Sequence, residues 1–74
     1  MKKFMVSYYS WTGKHEVSIY QNLYSGSYLI YLDGDYWTDI DSLYQFESEL
    51  SFIESSIHTK FGFFGFWGGK YIES

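Results

Sequence analysis

Seventy-four residues make one domain, spanning 1–74, near the lower limit of what folds unaided, because so short a chain leaves much of its surface exposed. The chain has no cysteine, which excludes disulfides and thiolate metal sites and leaves packing or association as the reinforcement. Nine acids against five lysines give a formal charge of −4, and arginine is absent, so direct nucleic-acid binding is not expected: both the guanidinium fork and the basic footprint are missing.

The N-terminus, Met1-Lys2-Lys3 followed by Phe4-Met5-Val6, begins like a secretion leader. The apolar run ends at Ser7, however, and no small-residue cleavage site follows. Residues 3–11 are β-branched or aromatic and predict a first strand, ended by a turn at Trp11-Thr12-Gly13-Lys14. Residues 15–23 place Val17, Ile19 and Leu23 on one side and Ser18, Tyr20 and Asn22 on the other, the pattern of a half-buried second strand. After a turn at 24–27, residues 28–32 form a third strand. Asp33-Gly34 is a strong two-residue hairpin signal, because both turn positions need positive φ, and it returns the chain as a short fourth strand over 35–38.

A helix follows. Leu43, Phe46, Leu50, Ile53, Ile57 and Phe61 recur at three- and four-residue steps, with Asp39 or Asp41 available as its cap and Gly62 as its stop. Phe52 and Tyr44 fall away from that stripe, on a face otherwise made of Ser48, Ser51 and Ser55. Residues 61–72 carry an aromatic and glycine-rich run that predicts a strand added to the sheet, one that would be an aggregation hazard if left uncovered. The apolar run at 61–69 is too short to span a bilayer, so no membrane association and a cytoplasmic location are expected. The predicted class is α+β: a small antiparallel sheet of four to five strands in the order ββββα(β), packed against one amphipathic helix.

No catalytic or metal-binding set emerges. The segment Gly65-Phe66-Trp67-Gly68-Gly69-Lys70-Tyr71 has glycines too closely spaced for a phosphate-binding loop, and Tyr71 stands where a metal-binding Ser or Thr is required. Residues 60–66 have the flavour of an aromatic RNA-binding signature with the wrong residue order and no basic surroundings. Counting a calcium loop from Asp33 and Asp35 puts a ligand position on Trp37, the obligatory glycine on Thr38 and the closing glutamate on Tyr44. His15 and His58 lie on separate elements and, without cysteine, make no zinc set. His15 and Glu16, adjacent on a strand, point to opposite faces. The expectation is a protein that is not an enzyme and needs neither cofactor nor metal.

Two features remain. Nine Tyr, seven Phe and three Trp are more rings than so small an interior holds, so some must form a contact surface. Seven of the nine carboxylates, Asp33, Asp35, Asp39, Asp41, Glu47, Glu49 and Glu54, lie in one stretch without a lysine. Individually, a turn residue, helix-end acids and solvated flanks account for them. Collectively, edged by Tyr36, Trp37 and Tyr44 and with Phe52 nearby, they form a candidate surface for a protein partner with a basic groove.

The absence of Ala, Arg, Pro and Cys beside abundant Tyr, Phe, Ile and Lys is the bias of an AT-rich coding sequence, as in a phage or mobile element. Together these features lead to the expectation of a non-enzymatic, anti-CRISPR-like inhibitor that mimics nucleic acid and blocks a host defence protein. The alternatives are an immunity or antitoxin protein, a self-associating structural protein (a homodimer) joined through residues 63–67 and Phe52, and a small-molecule binder with an aromatic cage.

Overall fold

Four consecutive hairpin-linked strands, a helical crossover and two further strands build one sheet. The structure, a computed structural model, describes residues 1–67 and 70–72, with side chains described through residue 61. Strands β1 (Lys2–Ser10), β2 (Glu16–Asn22), β3 (Tyr28–Leu32) and β4 (Asp35–Ile40) are followed by a 3-10 turn (Leu43–Gln45), helix α1 (Phe46–Ile57), and strands β5 (Phe61–Trp67) and β6 (Lys70–Ile72). The sheet order is β4-β3-β2-β1-β5-β6, with every neighbouring pair antiparallel. This is the α+β arrangement that the sequence predicts, with the segment after the helix paired as β5 and β6. The aromatic run over 63–67 and the glycine-rich segment over 65–71 fall within this end of the chain. Their side chains, and residues 68–69 altogether, lie outside the described residues.

The hairpins rest on local chemistry. Asp33 (φ 53°) and Gly34 (φ 85°) both adopt the left-handed region that a two-residue turn between right-twisted strands demands. At the β2–β3 turn, Asn22 Oδ1 accepts the N–H groups of Tyr24 (2.8 Å) and Ser25 (3.2 Å). Leu23, expected on the buried side of β2, lies beyond the strand's end and is 51% exposed.

Two of the sheet's three register shifts, those within the first four strands, redistribute side chains between its faces. In β1 the shift between Phe4 and Val6 makes Met5 the extra residue, so Met5 and Val6 both contribute to the core while Phe4 turns to the opposite face beside Tyr20. In β4 the extra residue is Trp37, between Tyr36 opposite Tyr31 and Thr38 opposite Ile30. The core under the helix consists of Val6, Val17, Ile19, Ile30 and Ile40 from β1 to β4, Phe46 and Ile53 from α1, and Phe61 from β5.

The helix is shorter than the stripe predicts and is bounded differently. Asp39 and Asp41 do not cap it. Ser42 caps the preceding 3-10 turn in a capping box: its Oγ accepts from Tyr44 N–H (3.3 Å), and Gln45 Oε1 accepts from the Ser42 (3.3 Å) and Asp41 (2.8 Å) N–H groups. Nor does Gly62 stop it. The chain leaves the helix through His58 in the left-handed region (φ 52°), where the His58 and Thr59 N–H groups both reach the Glu54 carbonyl. Leu43 therefore sits in the 3-10 turn and is partly exposed, and Phe61 reaches the core from a strand.

The two ends of the β1–β2 and β3–β4 hairpins are tied by Asp33. Its Oδ1 accepts the Glu16 N–H (2.8 Å), and its Oδ2 lies 2.7 Å from His15 Nδ1, which carries the proton because an ionised carboxylate only accepts. Partial burial pushes the Asp33 carboxyl up, but the hydrogen bonds from His15 and Glu16 and the charge of His15 outweigh it, so its pKa lies below the ordinary aspartate value. A carboxylate lowered in the folded state contributes stability above its unfolded pKa and loses it as pH falls through the folded one. Asp33→Asn keeps the turn preference and removes the charge. In urea titrations the wild type is expected to exceed D33N at about pH 6, and the gap should close as pH falls below the ordinary aspartate range. A gap unchanged at low pH would show that charge is not what the tie contributes.

Opposite the helix, the sheet carries an aromatic face. Phe4 and Tyr20 meet edge to face (ring centroids 5.6 Å apart), as do Tyr20 and Tyr31 (5.3 Å) and Tyr31 and Tyr36 (5.9 Å). Lys2 crosses this row. Its Nζ lies 4.6 Å from the Tyr20 centroid and 4.1 Å from that of Tyr31, and it donates to Tyr31 Oη at 2.9 Å. Beside the rings, Ser7 and Ser18 face each other across β1 and β2, both buried, with their hydroxyls 3.1 Å apart.

Candidate functional site

The corner where β4 turns into α1 gathers part of the acidic row. β4 is an edge strand, and the capping box at Ser42 turns the chain sharply after the buried Ile40, so the helix starts alongside the strand it has just left. Asp39, Asp41, Tyr44, Ser48 and Glu49 thereby line one shallow concavity of about 390 Å³, together with the buried Ile40 and the exposed Gln45. No residue lining it is basic. Tyr44 stands free at 96% exposure on its rim. Glu49 is held from below, because Trp37 Nε1 donates to its Oε2 (3.3 Å) while the Trp37 ring packs on the core. At the sheet edge the Tyr36 hydroxyl donates to Asp39 Oδ1. That bond to a carboxylate raises the Tyr36 pKa, with smaller contributions from burial and from the Asp39 and Tyr31 charges.

The other predicted residues are dispersed. Asp33 is engaged by His15 and Glu16 at the far hairpin, and Asp35 begins β4 at that same end, exposed. Glu47 lies on the opposite flank of α1, beside a groove lined by Tyr8, Phe46, Leu50, Ser51, Glu54 and Phe61. Glu54 is committed to the fold: its Oε2 accepts the Phe61 N–H at 2.9 Å, and its other oxygen lies 4.0 Å from Lys60 Nζ. Phe52 is 64% exposed on the helix's outer side, away from both clusters. Folding therefore brings together Asp39, Asp41, Glu49 and Tyr44, buttressed by Trp37 and Tyr36, and separates Asp33, Asp35, Glu47, Phe52 and Glu54 from them.

Sequence reasoning missed the aromatic face. Its signal lies in the period-two alternation of β2, where Ser18 and Tyr20 share a face, but the shifts at Met5 and Trp37 hide its continuation through Phe4 and Tyr36. Among the described residues no group of three His, Asp or Glu converges to hold a metal, and no helix is long and apolar enough to cross a membrane.

What fold and site define together is a small α+β protein with an acidic, aromatic-edged corner. Comparisons with protein-family models, with curated proteins and with solved structures return no match to the chain. Its functional reading rests on its own residues.

Proposed function

We propose that the chain is a non-enzymatic inhibitor that binds one-to-one to a nucleic-acid-handling protein, placing the β4–α1 corner in a basic cleft where phosphate would otherwise lie. The observation that carries this is the convergence of Asp39, Asp41 and Glu49 with the fully projecting Tyr44 around a concavity lined by no cation. Three carboxylates, two of them held by the Tyr36 hydroxyl and the Trp37 indole, steer a basic surface toward them, and an exposed ring adjoining them supplies the apolar contact that holds it. The AT-rich bias fits a phage or mobile element, whose protein would act in the cytoplasm of the host cell on a CRISPR effector or another defence nuclease.

The test is a cleavage assay with purified effectors and defence nucleases, to which wild-type protein or the D39N/D41N/E49Q variant is added at low and raised salt. Stoichiometric inhibition that weakens with salt and falls about a hundredfold in the variant is expected, as for loss of several close charge pairs. Inhibition that survives the variant would sink the corner as the binding surface. Neutralisation of a toxin without any effect on nucleases would assign the protein to the immunity class instead.

A further inference from the structure

We infer that the acidic corner seats an arginine together with an apolar residue beside it on one partner segment, a reading that rests on the corner being the binding surface proposed above. A second hollow, of about 490 Å³, is lined by Tyr28, Asp41, Ser42, Leu43 and Tyr44. Asp41 and Tyr44 line the acidic concavity as well, so the two hollows adjoin and share a wall. Their linings differ. The first holds Asp39, Asp41 and Glu49, whereas the second offers the Tyr28 ring and Leu43. Leu43 belongs by spacing to the apolar stripe of the helix, yet the capping box at Ser42 leaves it in the 3-10 turn with 39% of its surface in water.

The two linings together select the occupant. A polyamine or a wholly basic segment would pair with the carboxylates and leave Leu43 and the rings in water. A purely apolar ligand would cover Leu43 and take the neighbouring carboxylates out of water with no partner. A segment that sets a cation beside an apolar side chain satisfies both hollows at once. Between the two cationic side chains, the acceptors favour arginine. Asp39 Oδ2, both Asp41 carboxylate oxygens and Glu49 Oε1 make no hydrogen bond among the described residues. They stand on three separate side chains, which a planar fork of five donors can engage together, whereas an ammonium offers three donors from one point. The Tyr44 ring, 96% exposed, is also open to a stacking guanidinium.

Heteronuclear NMR titration of the isotope-labelled full chain at low salt tests this. The probes are glycine–serine peptides carrying one arginine and one leucine, with the leucine placed one to four positions beyond the arginine. Amide shifts at both Leu43 and Glu49 are expected for at least one spacing. Affinity should fall about fivefold or more when lysine replaces the arginine or glycine replaces the leucine. Tyr44→Ala, which the fold tolerates because the ring lies in water, should weaken the best peptide by about the same factor. No shifts at millimolar peptide overturn the inference. So do equal affinities for arginine and lysine, or shifts that spare Leu43. The readout involves no nuclease, so peptide recognition without inhibition of any nuclease sinks the inhibitor reading alone. Nuclease inhibition that is lost in D39N/D41N/E49Q, beside indifference to the peptides, sinks this inference alone.

Discussion

Replacing Ile53 with Ala is expected to lower the melting temperature by about 10 °C or more, from a loss of roughly 2–5 kcal/mol spread over the small unfolding entropy of a chain this size. Ile53 is completely buried, at the middle of α1, in the cluster that joins the helix to β1 through β4. Truncation there removes apolar contact from both layers and leaves a cavity that a sheet on one side and a helix on the other cannot close. A domain this small has little stability to spare. The neighbouring Phe52→Ser makes the control, since its ring is mostly in water and its loss should change stability by about 0.5 kcal/mol or less. Thermal melts by circular dichroism decide the matter, and an I53A melt no lower than that of F52S would mean that the helix does not hold the sheet as described.

Glu54→Ala comes second, at about 1–3 kcal/mol, although Glu54 is an acid that surface electrostatics alone would treat as expendable. Its carboxylate receives the backbone N–H of Phe61 where the chain passes from α1 into β5, and its side chain is only 16% exposed. Alanine leaves that N–H without its acceptor at the position that feeds the Phe61 ring into the core. Glu54→Gln keeps an acceptor oxygen and gives up only the charge and the distant Lys60 contact, so it should lose far less. Chemical denaturation of the three proteins, with amide exchange at Phe61, separates the two roles. Equal losses in E54A and E54Q would make charge, not the hydrogen bond, the contribution of this residue.

Signals confined to a few neighbouring residues were legible in the sequence. Asp33-Gly34 specifies its turn through positive φ, and the spacing of Phe46, Leu50, Ile53 and Ile57 specifies the buried face of the helix. The helix ends were less legible because competing signals overlap there. Asp39 and Asp41 look like caps, but β4 extends through Ile40 and leaves the box of Ser42 and Gln45 to do the capping. Period-two reading fails at Met5 and Trp37, since one extra residue reverses the face of everything beyond it. Long-range partners leave no local trace. Glu54 reads as a surface acid because its role depends on Phe61 returning beside it, and the acidic row reads as continuous along the chain although the helical repeat sets Glu47 and Glu49, two residues apart, on opposite flanks of α1. The position of β5 beside β1, and not beside β4, is likewise set by the course of the crossover.

That position has a consequence for how the chain leaves the ribosome. β1 is synthesised just before β2 and pairs with it as soon as the hairpin emerges, yet its other edge waits for β5, some fifty residues later in the sequence. Until then the nascent chain holds a four-stranded ribbon whose two edges are β4, bulged and acidic, and β1, long and unprotected. Closing so large a loop costs entropy that only the finished contacts return. A strand that is central in the finished sheet is thus an open edge of the growing one until β5, some fifty residues behind it, has been made.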